Sequence, residues 1–505
     1  MSTLYITTAI PYVNAPPHLG HALELVETDV LARHARSRGR PVRFLTGTDD
    51  HAAKNVAAAA AAGVSVEALV AANARRFAAL REPLALSNDD FLHTASDPRH
   101  RPAVERLWAR CAEAGDLFRK QYEGLFCGGC EQFVEPSDLV DGLCPEHSRP
   151  PEPVAEENWF FRLSRYEAPL RDALRSGRLR VEPEARRNEV LAFVEAGLRD
   201  FSVSRPRARS QGWGIPVPGD PSQIIYVWFD ALVNYISALG YGDGHGDGAY
   251  ERWWRLADDR VHVVGKGILR FHAISWPAIL LSAGEPLPSA VLVHDYLTVD
   301  GTKISKSLGN TVDPVALVDR YGTDALRWWL LRAVPRVGDA DFTVAGLVET
   351  ANRDLANGIG NLARRVASLV HARSAETPSL TNGDPSDVGA AALKHAVERL
   401  PSRIDDALDR FAFRSALEAS VETVAGANRY LELTRPWERT GAGSNVDAVL
   451  HDVVTAARVV ATELAPFVPG FSARALDALG ERGDPPTPSA VLFPRLIDQG
   501  AVSAE

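Results

Sequence analysis

Two short segments rich in histidine and lysine carry the chemistry that can be read in this chain. His18-Leu19-Gly20-His21 follows an apolar stretch and opens a helical pattern. A helix N-terminus presents unpaired N–H groups and partial positive charge, which suits phosphate. Gly20 lets the backbone approach a flat base or a phosphate. The imidazoles of His18 and His21 can donate to the oxygens of a pentacoordinate α-phosphate, and one such donor is typically worth about 3–4 kcal/mol. Lys303-Ile304-Ser305-Lys306-Ser307 precedes Leu308-Gly309-Asn310. Its two ammonium groups sit in a Gly-flanked loop that can close on a triphosphate, with Lys306 the better placed for the leaving pyrophosphate. Alone, the first segment reads as a helix cap with surface histidines and the second as a solvated basic loop. Together, each in a fitting local setting, they point to attack on the α-phosphate of ATP.

A third cluster has metal-ligand spacing. Cys127-x2-Cys130-x13-Cys144-x2-His147 supplies four soft or borderline ligands, and Gly128-Gly129 permits a tight turn between the first pair. Four protein ligands leave no open position, so one structural Zn2+ per chain is expected. Cys111 stands apart on a helical stretch and reads as a small core residue.

The elements that must position these groups follow from pattern. Thr3–Ile10 is β-branched and apolar, a buried strand; a helical pattern runs from about His18 to Arg38 and stops at Gly39. Val42–Thr48 is a second strand followed by an Ala-rich helix. This alternation predicts an α/β fold, a doubly wound parallel-sheet (Rossmann-like) domain with functional residues at strand ends. The rhythm breaks near Gly115 and returns at Gln223–Phe229, Arg260–Gly265 and Ala290–Leu297, so the intervening segment, with its cysteines, reads as an insertion. From Asp313 the chain turns helical. Leu355, Ile359, Leu362, Val366 and Leu369 recur at helix spacing within an all-α bundle, and a loop near Pro378–Asp387 divides two of its helices. Ala490–Leu496 is apolar enough to pack back onto the body.

Bulk composition sets limits. A chain of 505 residues is too long for one core. Its 46% hydrophobic content contains no apolar run of membrane-spanning length. The start carries no basic region before its apolar stretch, and four cysteines do not make a disulfide framework; both point to the cytoplasm. A net charge of −10 neither supports nor excludes an RNA partner, because screening confines charge effects to about 10 Å.

Further segments narrow the reading: TTAIPYVNAPPHLGHA at 7–22, TGTDDH at 46–51, WGIPVPGDP at 213–221, YVWFDALVNYIS at 226–237 and VVGKGILRFHAISWP at 263–277. With HLGH in place of HIGH and KISKS in place of KMSKS, the chain resembles the methionyl-tRNA synthetase family of class I aminoacyl-tRNA synthetases, from Leu4 to about Trp437. The resemblance implies domains at 1–114 (catalytic, first half), 115–222 (inserted connective domain with the zinc knuckle), 223–295 (catalytic, second half), 296–345 (KMSKS loop and stem-contact region) and 346–505 (helical anticodon-binding domain).

By the same resemblance, Ala9, Ile10, Tyr12, Trp228, Ala231, Leu232, Tyr235, Ile268 and His272 line a methionine pocket, and Asp49 holds the substrate ammonium. His18, Gly20, His21, Lys303 and Lys306 bind ATP, while Asn361, Arg365 and Trp437 read a CAU anticodon. A thioether favours aromatic neighbours, gaining up to about 1.5 kcal/mol per contact. Tyr12 and His272 are expected to offer sulfur a weak polar contact. The implied partners are L-methionine, ATP with Mg2+ and tRNA(Met). A monomer is expected, since no further C-terminal module follows the bundle. The chain departs from the family pattern at Gly267, where an Asp is usual, at Ala52 for Gly, at Asp50 for Glu, and at Ser210-Gln211-Gly212. These departures admit an alternative: a paralogue with altered amino-acid choice, inhibitor resistance, or a role outside translation. A non-catalytic tRNA-binding relative would have no reason to keep His18, His21, Lys303, Lys306, Asp49 and Trp228.

Overall fold

The computed structural model describes residues 2–129, 132–134, 136–145, 149–242, 248–304, 310–373, 388–438, 446–480, 486 and 491–498. The chain divides into two compact units. One comprises Met1–Pro17, Ala35–Arg81 and Leu86–His294; the other comprises His18–His34, Glu82–Ala85 and Asp295–Glu505.

The first unit is built on a six-stranded parallel sheet. Its strands lie in the order Asp90–His93, Val42–Thr48, Leu4–Thr8, Asp259–Gly265, Ala290–His294, Arg180–Glu182. Leu4–Thr8 is buried along its whole length, as a strand covered on both faces must be. Tyr5, Leu45, Val264 and Val293 share one core with Leu107, Trp108, Trp254 and Trp276. Cys111 is part of that core, and burial pushes its thiol up to about 12. The order reverses between Leu4–Thr8 and Asp259–Gly265. Ligands of open α/β sheets bind beyond the carboxyl ends of strands at such a switch point.

Two details differ from the sequence expectation. The inserted segment is not wholly separate, because Arg180–Glu182 returns as an edge strand of the main sheet. Gln223–Phe229 is not one strand: Asp220–Ile225 belongs to a small antiparallel sheet, and Val227–Leu232 is helical. The β-propensity of Tyr226, Val227, Trp228 and Phe229 is overridden by tertiary context. The insertion otherwise forms a four-stranded antiparallel sheet around Leu117–Cys127 and Glu152–Phe161.

The second unit opens with a hairpin, Leu297–Val299 and Thr302–Lys303. Asp300 and Gly301 both have positive φ (52° and 69°), the conformation that a two-residue hairpin turn demands. Helices follow, among them Pro314–Tyr321, Thr323–Arg332, Asn361–Arg373, Val388–Leu408, Phe413–Thr434, Val446–Leu464 and Pro469–Leu479. Leu355, Ile359, Leu362 and Val366 are buried as expected. After Val366 the buried stripe passes to Val370, leaving Leu369 half-buried. Arg327 is completely buried in this unit, and each of its three guanidinium nitrogens is bonded. It reaches the carbonyls of Phe467, Leu84 and Pro466 and pairs with Asp29 at 2.8 Å. That pair fastens helix Leu19–Ser37 to Thr323–Arg332. Leu492 and Phe493 are buried, so the described part of the apolar tail packs back. The loop expected near 378–387 lies outside the described residues. No single helix among the described residues is long and apolar enough to cross a membrane.

Candidate active site

Helix Leu19–Ser37 begins one residue after His18, and its first turn fixes both imidazoles. The His18 backbone N–H donates to His21 Nδ1 at 3.0 Å, and the Gly20 N–H donates to His18 Nδ1 at 3.1 Å. A neutral imidazole has one donor and one acceptor nitrogen. With each Nδ1 accepting, the proton of both rings resides on Nε2. The rings lie 3.8 Å apart, centre to centre. A Cβ on Gly20 would meet the His18 ring at 3.0 Å, so a side chain there would displace it. In the same unit, Lys303 closes the hairpin opposite Thr298, and Ile304 is buried behind it. Lys306 and its neighbours 305–309 lie outside the described residues.

The expected amino-acid pocket falls in the first unit, around the switch point. Ala9, Ile10 and Tyr12 follow the first strand; Ala9 bonds back to the Val263 carbonyl at 3.0 Å. Asp49, at the end of the second strand, bridges to Tyr12 and is 3% exposed. The His51 N–H donates to Asp49 Oδ1 at 3.2 Å. Tyr12 meets Trp228 edge to face at 6.2 Å, and Trp228 stands edge to face with His272 at the same distance. Trp228 also stacks on Phe271 at 3.8 Å, a neighbour that the sequence reading did not name. Ala231, Leu232 and Tyr235 are buried on the helical turns after Trp228; Ile268 is half-buried. The structure thus joins Asp49, Tyr12, Trp228, His272, Tyr235 and Ile268 in one chain of contacts; Tyr235 and Leu232 also belong to the main core, against which Trp228 and Ile268 pack.

Two buried imidazoles support this chain. His272 Nδ1 lies 2.9 Å from the Ile268 carbonyl, which can only accept, and Nε2 lies 2.8 Å from Tyr235 Oη. Burial pulls its pKa down to about 4, so the ring is neutral at physiological pH, with the proton on Nδ1. Tyr235 therefore donates to Nε2. His262 lies beneath, stacked on Tyr235 at 4.0 Å. It accepts from Trp276 Nε1 and gives its Nδ1 proton to Thr7. Burial also holds it well below the usual imidazole range. With both nitrogens engaged, His272 has no N–H left for a thioether, which differs from the expectation that it supplies a polar contact. The reason is local: position 268, one helical turn back, puts a carbonyl within reach of Nδ1.

Residues 4–150 and 130–367 match the family model described as tRNA synthetases class I (M). The chain is 40% identical over 487 residues to the methionine–tRNA ligase of Thermosynechococcus vestitus, spanning 94% of this chain and 89% of that protein. It is also 40% identical over 490 residues to the methionine–tRNA ligase of Mycobacterium tuberculosis, spanning 95% and 92% respectively. The solved structure of Mycobacterium tuberculosis methionyl-tRNA synthetase in complex with methionyl-adenylate superposes with a TM-score of 0.91 at 38% identity, covering 98% of this chain and all of that one. The chain belongs to the class I (M) tRNA synthetase family.

Other residues singled out as family features also have definite places. Asn361 and Arg365 lie one turn apart on helix Asn361–Arg373. Arg365 pairs with Glu432 at 2.8 Å and covers the Trp437 ring at 4.6 Å. Trp437 is 41% exposed, so it is not a core residue. Cys127 ends a strand, and both it and Cys144 are buried, while Cys130 and His147 lie outside the described residues. Gly267 is exposed in the turn Lys266–Ile268. The sequence reading missed a second buried cluster, His51, His100, Asp230 and Ser237. Its signal was present, since His51 and Asp230 sit inside quoted segments, but nothing in their spacing says that they meet.

Proposed function

We infer that this chain is a methionine–tRNA ligase. It activates L-methionine with ATP to methionyl-adenylate and transfers the methionyl group to the 3′ end of tRNA(Met). In the first step the methionine carboxylate attacks the α-phosphate and pyrophosphate leaves; in the second the terminal ribose hydroxyl attacks the activated carbonyl. The observation that carries the amino-acid assignment is the neutral His272–Tyr235 pair beside Trp228. It gives an apolar, polarizable pocket with no charge for a thioether to desolvate.

The roles of individual residues are part of the same proposal. Asp49 would take the ammonium group as a charge-assisted bond. His18 and His21 would donate from Nε2 to the transition-state phosphate, with Lys303 and Lys306 neutralising the pyrophosphate. Mg2+, bound with ATP, would neutralise phosphate charge. Asn361, Arg365 and Trp437 would form the anticodon reader, Trp437 stacking on an unpaired base. Cys127, Cys130, Cys144 and His147 would hold one structural Zn2+. The burial of the two described thiols suits a closed tetrahedral site. Work as a cytoplasmic monomer, with its insertion at 115–222 and its anticodon domain from 346, completes the reading.

Charging of a tRNA bearing a CAU anticodon tests it. Methionine should be attached, and a changed anticodon should lower the rate by about a hundredfold or more. Attachment of another amino acid in place of methionine would overturn the assignment.

A further inference from the structure

Asp230 lies two residues beyond Trp228 on the short helix Val227–Leu232 and is 1% exposed, with both carboxylate oxygens taken up by side chains. Its Oδ2 is 2.6 Å from His51 Nδ1 and its Oδ1 is 2.7 Å from His100 Nε2. His100 Nδ1 is in turn 2.8 Å from Ser237 Oγ. One carboxylate thus ties together three segments: the Trp228 helix, the turn 49–51, and the start of helix His100–Glu113. Trp213 closes the cluster, its ring edge to face with that of His51 at 5.8 Å between centres and its Nε1 donating to the Asp50 carbonyl at 2.7 Å. The other titratable groups that face His51 are Asp50, which it feels electrostatically, and Asp49, which its backbone N–H contacts; His93 bears on Asp50 in turn.

We propose that Asp230 is a positioning residue for the amino-acid pocket: by gripping His51 it fixes the turn that carries Asp49, where the substrate ammonium binds. The proposal rests on the role given to Asp49 above. The charges fit it. Burial alone would push Asp230 up, but His51 and His100 outweigh burial and hold it well below the ordinary carboxylate range. Burial would push His51 down, yet the Asp230 charge and hydrogen bond outweigh that and raise it above the usual imidazole value. The grip is therefore strongest with His51 protonated, as an ion pair, and weakens to a neutral hydrogen bond as His51 loses its proton. An Asn at 230 keeps the shape but loses the charge.

Methionine-dependent pyrophosphate–ATP exchange by the whole chain tests this, with Asp230→Asn and His51→Gln beside the unsubstituted protein. Asp230→Asn should raise the methionine KM by about tenfold or more while the ATP KM stays within about twofold. In the unsubstituted protein the methionine KM should rise as pH climbs through the range where His51 loses its proton, which lies above the ordinary imidazole value. His51→Gln retains an N–H for Asp230 but cannot be charged, so it should raise the methionine KM by about threefold and flatten that pH profile. If Asp230→Asn does not fold, the flattened profile still supports the proposal. Equal changes in both KM values, or a lower Tm with unchanged kinetics and an unchanged pH profile, would overturn it as merely structural. Absence of methionine-dependent exchange in the unsubstituted chain would overturn the functional reading, and this proposal with it.

Discussion

The imidazoles at the start of helix Leu19–Ser37 and those beneath Tyr235 are the same side chain set to opposite tasks. His18 and His21 accept backbone N–H groups at Nδ1, which leaves Nε2 as the proton-bearing nitrogen. His272 and His262 carry the proton on Nδ1, spend it on Ile268 and Thr7, and accept at Nε2. The first pair is only half-buried and suited to oxygens that gain charge in a transition state. The second is buried and neutral, and serves to orient Tyr235 in an apolar wall. The neighbours of a histidine, more than its identity, decide whether it stabilises charge or excludes it. Asp230 marks a third setting, where a buried carboxylate favours the charged form of an imidazole.

Substitutions that break this contrast should act on different kinetic constants. The largest effect is expected for His21→Ala and Lys306→Ala: a fall of about 10²–10³ in the exchange rate, with the methionine KM within about threefold. Equal losses in rate and methionine KM would remove the division of labour. Next, Tyr235→Phe leaves His272 Nε2 without its donor, a buried loss of about 1–3 kcal/mol, and should raise the methionine KM by about tenfold with little change in rate. Trp437→Ala touches neither imidazole pair. It should leave exchange intact and raise the tRNA KM by about fivefold or more, since base stacking is worth about 1–3 kcal/mol; matched losses in exchange and charging would make it a packing residue. The smallest effect is a slope. The folded pKa of His272 is about 4, below its unfolded value of roughly 6.5, so the unfolded chain binds the proton more readily. The stability that this ring contributes is complete above about pH 6.5 and is lost as pH falls through about 4. His272→Gln should flatten that part of a Tm-against-pH curve; an unchanged slope would mean that the ring is solvated.

Much of the first unit was legible because chemistry and architecture coincide there. The strand before HLGH, the strand before TGTDDH and the stop at Gly39 follow from β-branched runs, periodicity and a positive-φ glycine. The helical region after Asp313 followed from apolar spacing alone. Arg180–Glu182 could not be read, because a three-residue edge strand leaves no periodicity to detect. Val227–Leu232 could not be read either, since aromatic and β-branched residues there favour the wrong element. In the site, the residue types named the groups but not their bonds. That His272 is fully engaged, and that Asp230 draws in both His51 and His100, are facts of contact between segments distant in sequence.

The most direct test of the whole account is pyrophosphate–ATP exchange measured with each amino acid in turn. The account predicts exchange that depends on L-methionine and responds weakly, if at all, to the others. Exchange driven by a different amino acid, or none with any, would contradict it.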